Sequence, residues 1–463
     1  MSMQERDIME CLGTLPTYSQ LAAEVRRQSR SVTNRFRSII TDAQFAREVR
    51  KELGWPVFTN SRGGDWYYNP KWDGYAGKCQ FKSTDGHNGN WGFSKRRLGL
   101  NVLKAFRDGR PGVIILDTTR RGKSFPDAFT KTIPIWISVM NSHFFPGHDS
   151  AFLPHPRLVS NQEKYHIERL LPRFLQDLKD MKIDLADYVP PHPLRVIWAN
   201  RDTDLESLAE GLESEMNKWC TLVLVMVSEV VPGDGIEGEY IQGAADDAEN
   251  WLGKSGLTHE IFWESHDELM RACAEGEEHL LAILDEKVKQ AACCHAGKTG
   301  DIEALKPTTS VFVTSSKPPA DFIDEDSVVI DLTGQSTATS DTESRKNTLS
   351  YKLFQGKKGA KHLREVLPCI RSRVFEKERW MAKKILFILP PEDADGVAAA
   401  CAIFVLTLFF DEEGRAKAQD QLGLDVDKQT VQRRIAWWVL SHGESNISRS
   451  SLQSVNSVLM DYR

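Results

Sequence analysis

VIILDTTRRGKSFPDAFTKT, residues 113–132, changes character partway along. Val113, Ile114, Ile115 and Leu116 form an apolar run with no polar alternation, the pattern of a buried strand. The run stops at Asp117, and a polar loop follows: Thr118, Thr119, Arg120, Arg121, Gly122, Lys123 and Ser124. Two other apolar runs end in the same way, Leu194 to Trp198 before ANRDTD and Thr221 to Val231 before PGDG, with helical periodicity between them. Buried strands separated by helices specify an α/β layer architecture.

Near the C-terminus the unit recurs: KKILFIL reads as a buried strand, PPEDADG as a loop and VAAACAIFVLTLFF as an apolar helix. Between about Thr308 and Ser350 the composition breaks, with a strand-like run from Ser327 to Leu332 and then the polar GQSTATSDTESRKN. A chain of 463 residues exceeds one ordinary core. The expected division is a large N-terminal α/β domain over 1–310, a connecting segment over 311–349, and a smaller C-terminal α/β domain over 327–463.

Composition narrows the class. At 41% hydrophobic and 27% charged residues, the chain is not collagen-like, mucin-like or largely disordered. Its best membrane candidate, Val397 to Phe410, is too short for a bilayer span and reads as a buried helix. The N-terminal MSMQERDIMECLG has early charges and no apolar h-region, so the expectation is no membrane association and a cytoplasmic or nuclear location. Of eight cysteines only Cys293-Cys294-His295 cluster, without the paired spacing of a structural zinc site, so reduced thiols are expected.

The net charge is −6, yet from Lys82 to Lys131 eleven Lys or Arg face four Asp or Glu. Arginines at 26, 27, 30, 35, 37, 47 and 50 also give the helical region Tyr18 to Leu53 a basic face, either a solvated surface or a contact for a phosphate backbone. In DTTRRGKS, the hydroxyls of Thr118 and Thr119 and the backbone at Gly122 can bind phosphate oxygens. Arg120, Arg121 and Lys123 can neutralise their charge, and Asp117 can hold a magnesium ion. The segment is not a P-loop, because Asp117 stands where the first glycine of G-x-x-x-x-G-K-[ST] belongs.

FKSTDGHNGNWGFSKRRLGL, residues 81–100, has similar chemistry in Lys82, Ser83, Thr84, Asp85 and His87, with Arg96 and Arg97 on a helix expected from Phe93 to Phe106. Asp85 or His87 can accept a proton from a hydroxyl. The preceding residues, from Gly63 on, show neither helical nor strand periodicity. In YIQGAADDAENW, residues 240–251, the adjacent Asp246 and Asp247 suit metal ligation, base catalysis or helix capping. PPEDADG has the layout of a cysteine-dependent phosphatase loop, but no cysteine opens it and no arginine closes it, which excludes that chemistry.

FKSTDGHNGNWGFSKRRL, ILDTTRRGKSFPDAFTKTIPIW, YIQGAADDAENW and the C-terminal SRSSLQSVNSVLM together resemble the fungal and plant initiator tRNA ribosyl phosphate transferases, over almost the whole chain. The resemblance implies a C-terminal domain similar to dual-specificity phosphatases; members carry a cysteine and Gly-Lys-Asp in its loop, where this chain has LPPEDADG. It implies transfer of a 5-phosphoribosyl group from phosphoribosyl pyrophosphate to the 2'-hydroxyl of a T-stem adenosine of initiator methionine tRNA, which keeps that tRNA out of elongation. On this reading DTTRRGKS and KSTDGH cradle the donor, with Mg2+ near Asp117 on the pyrophosphate. Asp85 or Asp247 takes the hydroxyl proton, and Gln242, Gly243 and Asp246 complete a composite site. No protein partner is implied. The alternatives are a non-catalytic initiator-tRNA-binding protein and a nucleotide phosphatase.

Overall fold

The computed structural model describes residues 30–460 except 62, 121, 149–150, 247–255, 295–301, 317, 320, 335–347, 355, 376–379, 383, 391–392, 394–395, 423–425 and 443–446. Helix α1, Val32–Leu53, begins at Ser31, whose hydroxyl accepts the Asn34 amide N–H at 3.2 Å. It is followed by β1 (Val57–Asn60), β2 (Tyr75–Cys79), α2 (Leu100–Arg107), β3 (Gly112–Asp117) and α3 (Ile133–Phe144). Next come α4 (Asn161–Glu168), α5 (Leu171–Asp180), β4 (Leu194–Ala199), α6 (Leu205–Glu213) and β5 (Cys220–Met226).

These five strands form one parallel sheet in the order β2-β1-β3-β5-β4. Every residue of β3 and β5 is buried, as unbroken apolar runs require of inner strands covered on both faces. From β1 the chain moves outward to β2; from β3 it moves the opposite way to β4. The carboxyl ends of β1 and β3 therefore flank a topological switch point, where open α/β sheets have their ligand crevice. Asn60 and Asp117 are the last residues of those two strands. An antiparallel ribbon of β6 (Ile236–Glu237) and β7 (Tyr240–Ile241) and the helices α7 (His259–Glu275) and α8 (Glu277–Cys294) complete this unit.

The second sheet comprises β8 (Glu303–Ala304), β9 (Val311–Thr314), β10 (Ser327–Asp331), β11 (Thr348–Ser350) and β12 (Lys384–Ile388), in the order β11-β10-β12-β9-β8. Only β8 pairs antiparallel among these described strands. Around it lie α9 (Gly356–Phe375), α10 (Val397–Phe409), α11 (Lys428–His442) and α12 (Arg449–Met460). All of α10 is buried, which explains its apolar sequence without a membrane. Among the described residues no helix is long and apolar enough to cross one.

The architecture is α/β as expected, with three local differences. The aperiodic segment after Gly63 contains β2, an edge strand whose alternate residues are exposed, so burial leaves little imprint on its composition. The helix expected from Phe93 begins only at Leu100, because Gly99 takes a left-handed backbone (φ 63°) before it; Arg96 and Arg97 precede the helix. The second sheet reaches back beyond the expected Ser327 start, since β9 pairs with the central β12.

Candidate functional site

The side chain of Asn60 joins two of the loops singled out in the sequence. Its amide donates to the Phe81 carbonyl at 2.9 Å and to the Asp117 carboxylate at 2.6 Å, and its carbonyl oxygen accepts the Phe81 N–H at 2.7 Å. The Lys82 segment is thereby pinned to the end of β3. Thr132 adds a tie by donating to the Lys82 carbonyl at 3.1 Å, and Ser83 accepts the Ala128 N–H at 3.2 Å.

Gln242 joins the third segment. Its carbonyl oxygen accepts the amides of Gly122 (2.9 Å) and Val231 (3.0 Å), and its side-chain amide donates to the Lys123 carbonyl at 2.8 Å. Arg120 pairs with Asp246 at 3.0 Å. Gly243, at φ 66°, has no space for a side chain, since a Cβ would lie 2.8 Å from the Thr119 carbonyl oxygen. Gly64 is similarly constrained: a Cβ there would run into the Leu116 carbonyl oxygen. Three segments distant in sequence thus meet at the switch point.

Asp117 lies at the centre, buried, with Asn60 and the Thr118 N–H (2.8 Å) as its partners and no cation paired with it among the described residues. Burial pushes its carboxyl up to about 7 over those hydrogen bonds, and the nearby Asp246 and Asp65 carboxylates push the same way. Magnesium is commonly held by one or two carboxylates together with substrate phosphates, so a lone carboxylate suits this role. The described residues contain no group of three or more potential metal ligands.

Beneath the loops lies a polar network that the sequence reading did not single out. The Ser228 hydroxyl donates to Asp42 at 2.8 Å and lies 2.7 Å from the Thr118 hydroxyl; Tyr240 and Arg201 also donate to Asp42, each at 2.8 Å. Burial holds the Asp42 carboxyl up at about 7, outweighing Arg201 and the hydroxyls. Because the folded values of Asp42 and Asp117 lie above that of an unfolded aspartate, each contributes stability that is present at low pH and lost as pH rises toward 7. Each slope is at most about 1.4 kcal/mol per pH unit. Urea unfolding at pH 5 and pH 6.5 should therefore show higher stability at pH 5, with a shallower difference in Asp42→Asn. An unchanged difference would show that Asp42 does not carry this linkage.

Arg121, Asp247 and His295 lie outside the described residues, as do the side chains of Cys293 and Cys294 at the end of α8. Lys123 and Thr84 are exposed. Arg97 is buried and pairs with Asp85 of the KSTDGH loop at 3.3 Å, while Arg96 donates to the Ile447 carbonyl of the second unit. Lys95 makes a parallel link to Gln432 at 3.1 Å. Exposed His87 is held through Nδ1 by Asp127 at 2.8 Å; Asp127 also pairs with Lys131 at 3.0 Å. Despite its burial, hydrogen bonds from Lys131 and His87 keep the Asp127 carboxyl below its ordinary value. On α1, Arg35 donates to the Ala244 carbonyl at 2.8 Å and Arg37 pairs with Glu239 at 2.7 Å, so part of the basic face holds the third segment. Asn60 and Asp42 left little trace in sequence: one ends a four-residue strand and the other sits among arginines.

In the second unit, Asp393 accepts the N–H groups of Val397 (2.7 Å), Ala398 (3.1 Å) and Ala399 (2.9 Å). The first-turn donors of α10, which a phosphatase-like loop offers to phosphate, are thus taken by the chain's own carboxylate. Cys401 lies within α10, where burial pushes its thiol up, away from a nucleophilic thiolate.

Residues 25–289 match the family model described as the Rit1 N-terminal domain, and residues 347–459 match the Rit1 DUSP-like domain. An uncharacterized protein of Schizosaccharomyces pombe is 32% identical over 94% of this chain and 96% of its own length. The tRNA A64-2'-O-ribosylphosphate transferase of Saccharomyces cerevisiae is 28% identical over 96% of this chain and 94% of its own. No solved structure matches significantly. With both domains matched in order, the first across more than half its length, the chain belongs to the Rit1 family.

Proposed function

We propose that this chain transfers a 5-phosphoribosyl group from phosphoribosyl pyrophosphate to a ribose 2'-hydroxyl in the T-stem of initiator tRNA. The observation that carries this reading is the convergence, through Asn60 and Gln242, of three phosphate-compatible segments around the buried Asp117. The similarity to a tRNA ribosylphosphate transferase over nearly both whole chains supports the choice of acceptor. In the reaction the 2'-oxygen bonds to C1 of the donor ribose, the bond from C1 to the pyrophosphate oxygen breaks, and pyrophosphate leaves with the bonding pair.

Each element has a role in that exchange. The cations of Lys82, Arg120 and Lys123 bind the donor's phosphates, while the Gly122 N–H is held by Gln242 and shapes the loop. Asp117 is the residue that would hold magnesium, whose contribution is to stabilise charge on the pyrophosphate. The hydroxyl proton passes to His87, whose Nδ1 contact with Asp127 leaves Nε2 available, whereas the Asp85 carboxylate is engaged by Arg97. An A-form stem exposes its 2'-hydroxyls in a wide, shallow groove, so the acceptor needs no base flipping.

The test is incubation of the full-length protein with initiator tRNA, magnesium and labelled phosphoribosyl pyrophosphate. Labelled tRNA is the expected product, and His87→Ala should lower kcat about 100-fold. Tight tRNA binding without transfer would favour a binding protein, and phosphate release without labelled tRNA a phosphatase. Wild-type turnover in His87→Ala would remove His87 as the base.

A further inference from the structure

A hydrogen-bonded chain runs from the middle of α1 to the first residue after β3, through Asp42, Ser228 and Thr118. We infer that Asp42 is a positioning residue for the phosphoribosyl donor, holding the Ser228 hydroxyl so that its oxygen accepts from both donor-facing loops; this rests on the reading of the site proposed above.

Asp42 is fully buried, and as a carboxylate it only accepts. One oxygen takes the Tyr240 O–H and an Arg201 N–H, both at 2.8 Å, and the other takes the Ser228 O–H at 2.8 Å. That commits the single proton of Ser228. Its lone pairs then accept the Thr118 hydroxyl at 2.7 Å and the Gly243 N–H at 3.3 Å. Thr118 opens the DTTRRGKS loop beyond β3, and Gly243 lies against Thr119 in the facing loop. By taking that proton, one carboxylate leaves the Ser228 oxygen to accept from both loops.

The groups that meet at Asp42 come from the end of the sheet that carries the site. Arg201 follows β4 and also donates to the carbonyls of Thr41 (3.1 Å) and Val227 (3.2 Å); Ser228 follows β5; Tyr240 lies in β7 and accepts the Glu229 N–H at 2.8 Å. A buried ionic network of this kind carries a desolvation cost that apolar packing avoids, so stability alone gives no reason for it. Orientation of the loops does, because small displacements of binding groups cost large factors in rate and affinity.

Two variants separate positioning from folding. Asp42→Asn keeps the shape but places an N–H where a carboxylate oxygen accepted, so one donor loses its acceptor or the chain to Thr118 reverses. Ser228→Ala cuts the chain and leaves Asp42 with Arg201 and Tyr240. At pH 8, KM for phosphoribosyl pyrophosphate is expected to rise about tenfold or more in both variants. KM for tRNA and kcat should stay within about threefold of wild type, and inorganic pyrophosphate, measured by calorimetry, should bind correspondingly more weakly. A folded Ser228→Ala with wild-type donor KM and pyrophosphate affinity overturns the inference, and it decides alone if Asp42→Asn does not fold. If the wild type binds pyrophosphate but transfers nothing, the transferase reading falls while the variants' affinities still decide this one; if it binds no pyrophosphate, both fall.

Discussion

Asp117→Asn should lower kcat/KM for phosphoribosyl transfer by about 100- to 1,000-fold, the scale of loss when a preorganised group that stabilises developing charge, here through the magnesium it would hold, is removed. The substitution preserves size, and its carbonyl oxygen can still accept the Thr118 N–H. What disappears is the one negative charge at the centre of the switch point that no described cation neutralises. The new side-chain amide also confronts the Asn60 amide, a donor meeting a donor. Folding should lose no more than about 1–3 kcal/mol at pH 8, the cost of that mismatch, offset by removal of a carboxylate whose ionised form burial disfavours. Steady-state kinetics with saturating magnesium, alongside thermal unfolding, separate the two effects. Wild-type kinetics would take Asp117 out of the site, and an inactive, unfolded variant would make it a folding residue.

Asn60→Leu, close in volume, should have the largest effect on stability. It removes three hydrogen bonds at once and leaves the Phe81 N–H and C=O and one Asp117 oxygen buried without their partner. Stranded buried groups cost about 1–3 kcal/mol each, partly relieved by relaxation, so a net loss of about 3 kcal/mol is expected. For a domain of this size that corresponds to a fall in Tm of about 6–12 °C. Transfer activity should fall as well, because the Lys82 segment loses its tie to β3. A melting temperature within about 2 °C of wild type would mean that this clamp does not hold the loops.

The parts of the site legible in sequence were those whose chemistry is local. DTTRRGKS announces itself through an apolar strand that ends in hydroxyls and cations, and YIQGAADD through small residues before paired carboxylates. Asn60 was not legible because VFTN is too short for a reliable period. Asp42 was hidden for another reason. Among the arginines of α1 it resembles one more solvated charge, and only the packing of α1 on the loops shows it to be buried. Arg96 and Arg97 are expected from sequence beside Lys82, but their partners were not legible there: the fold gives one guanidinium the Ile447 carbonyl and the other Asp85.

The sequence by itself determined the α/β layering, the basic stretch from Lys82 to Lys131 and the lack of a cysteine at the C-terminal loop. Each depends on residue identity or on spacings of a few residues. Tertiary structure alone decided that the Lys82, Asp117 and Gln242 segments are hydrogen-bonded together, and that α10's first-turn donors are closed by Asp393. The reason is separation: Asn60 meets Asp117 across 57 residues and Gln242 meets Gly122 across 120, pairings set by the strand order β2-β1-β3-β5-β4. No local period encodes them.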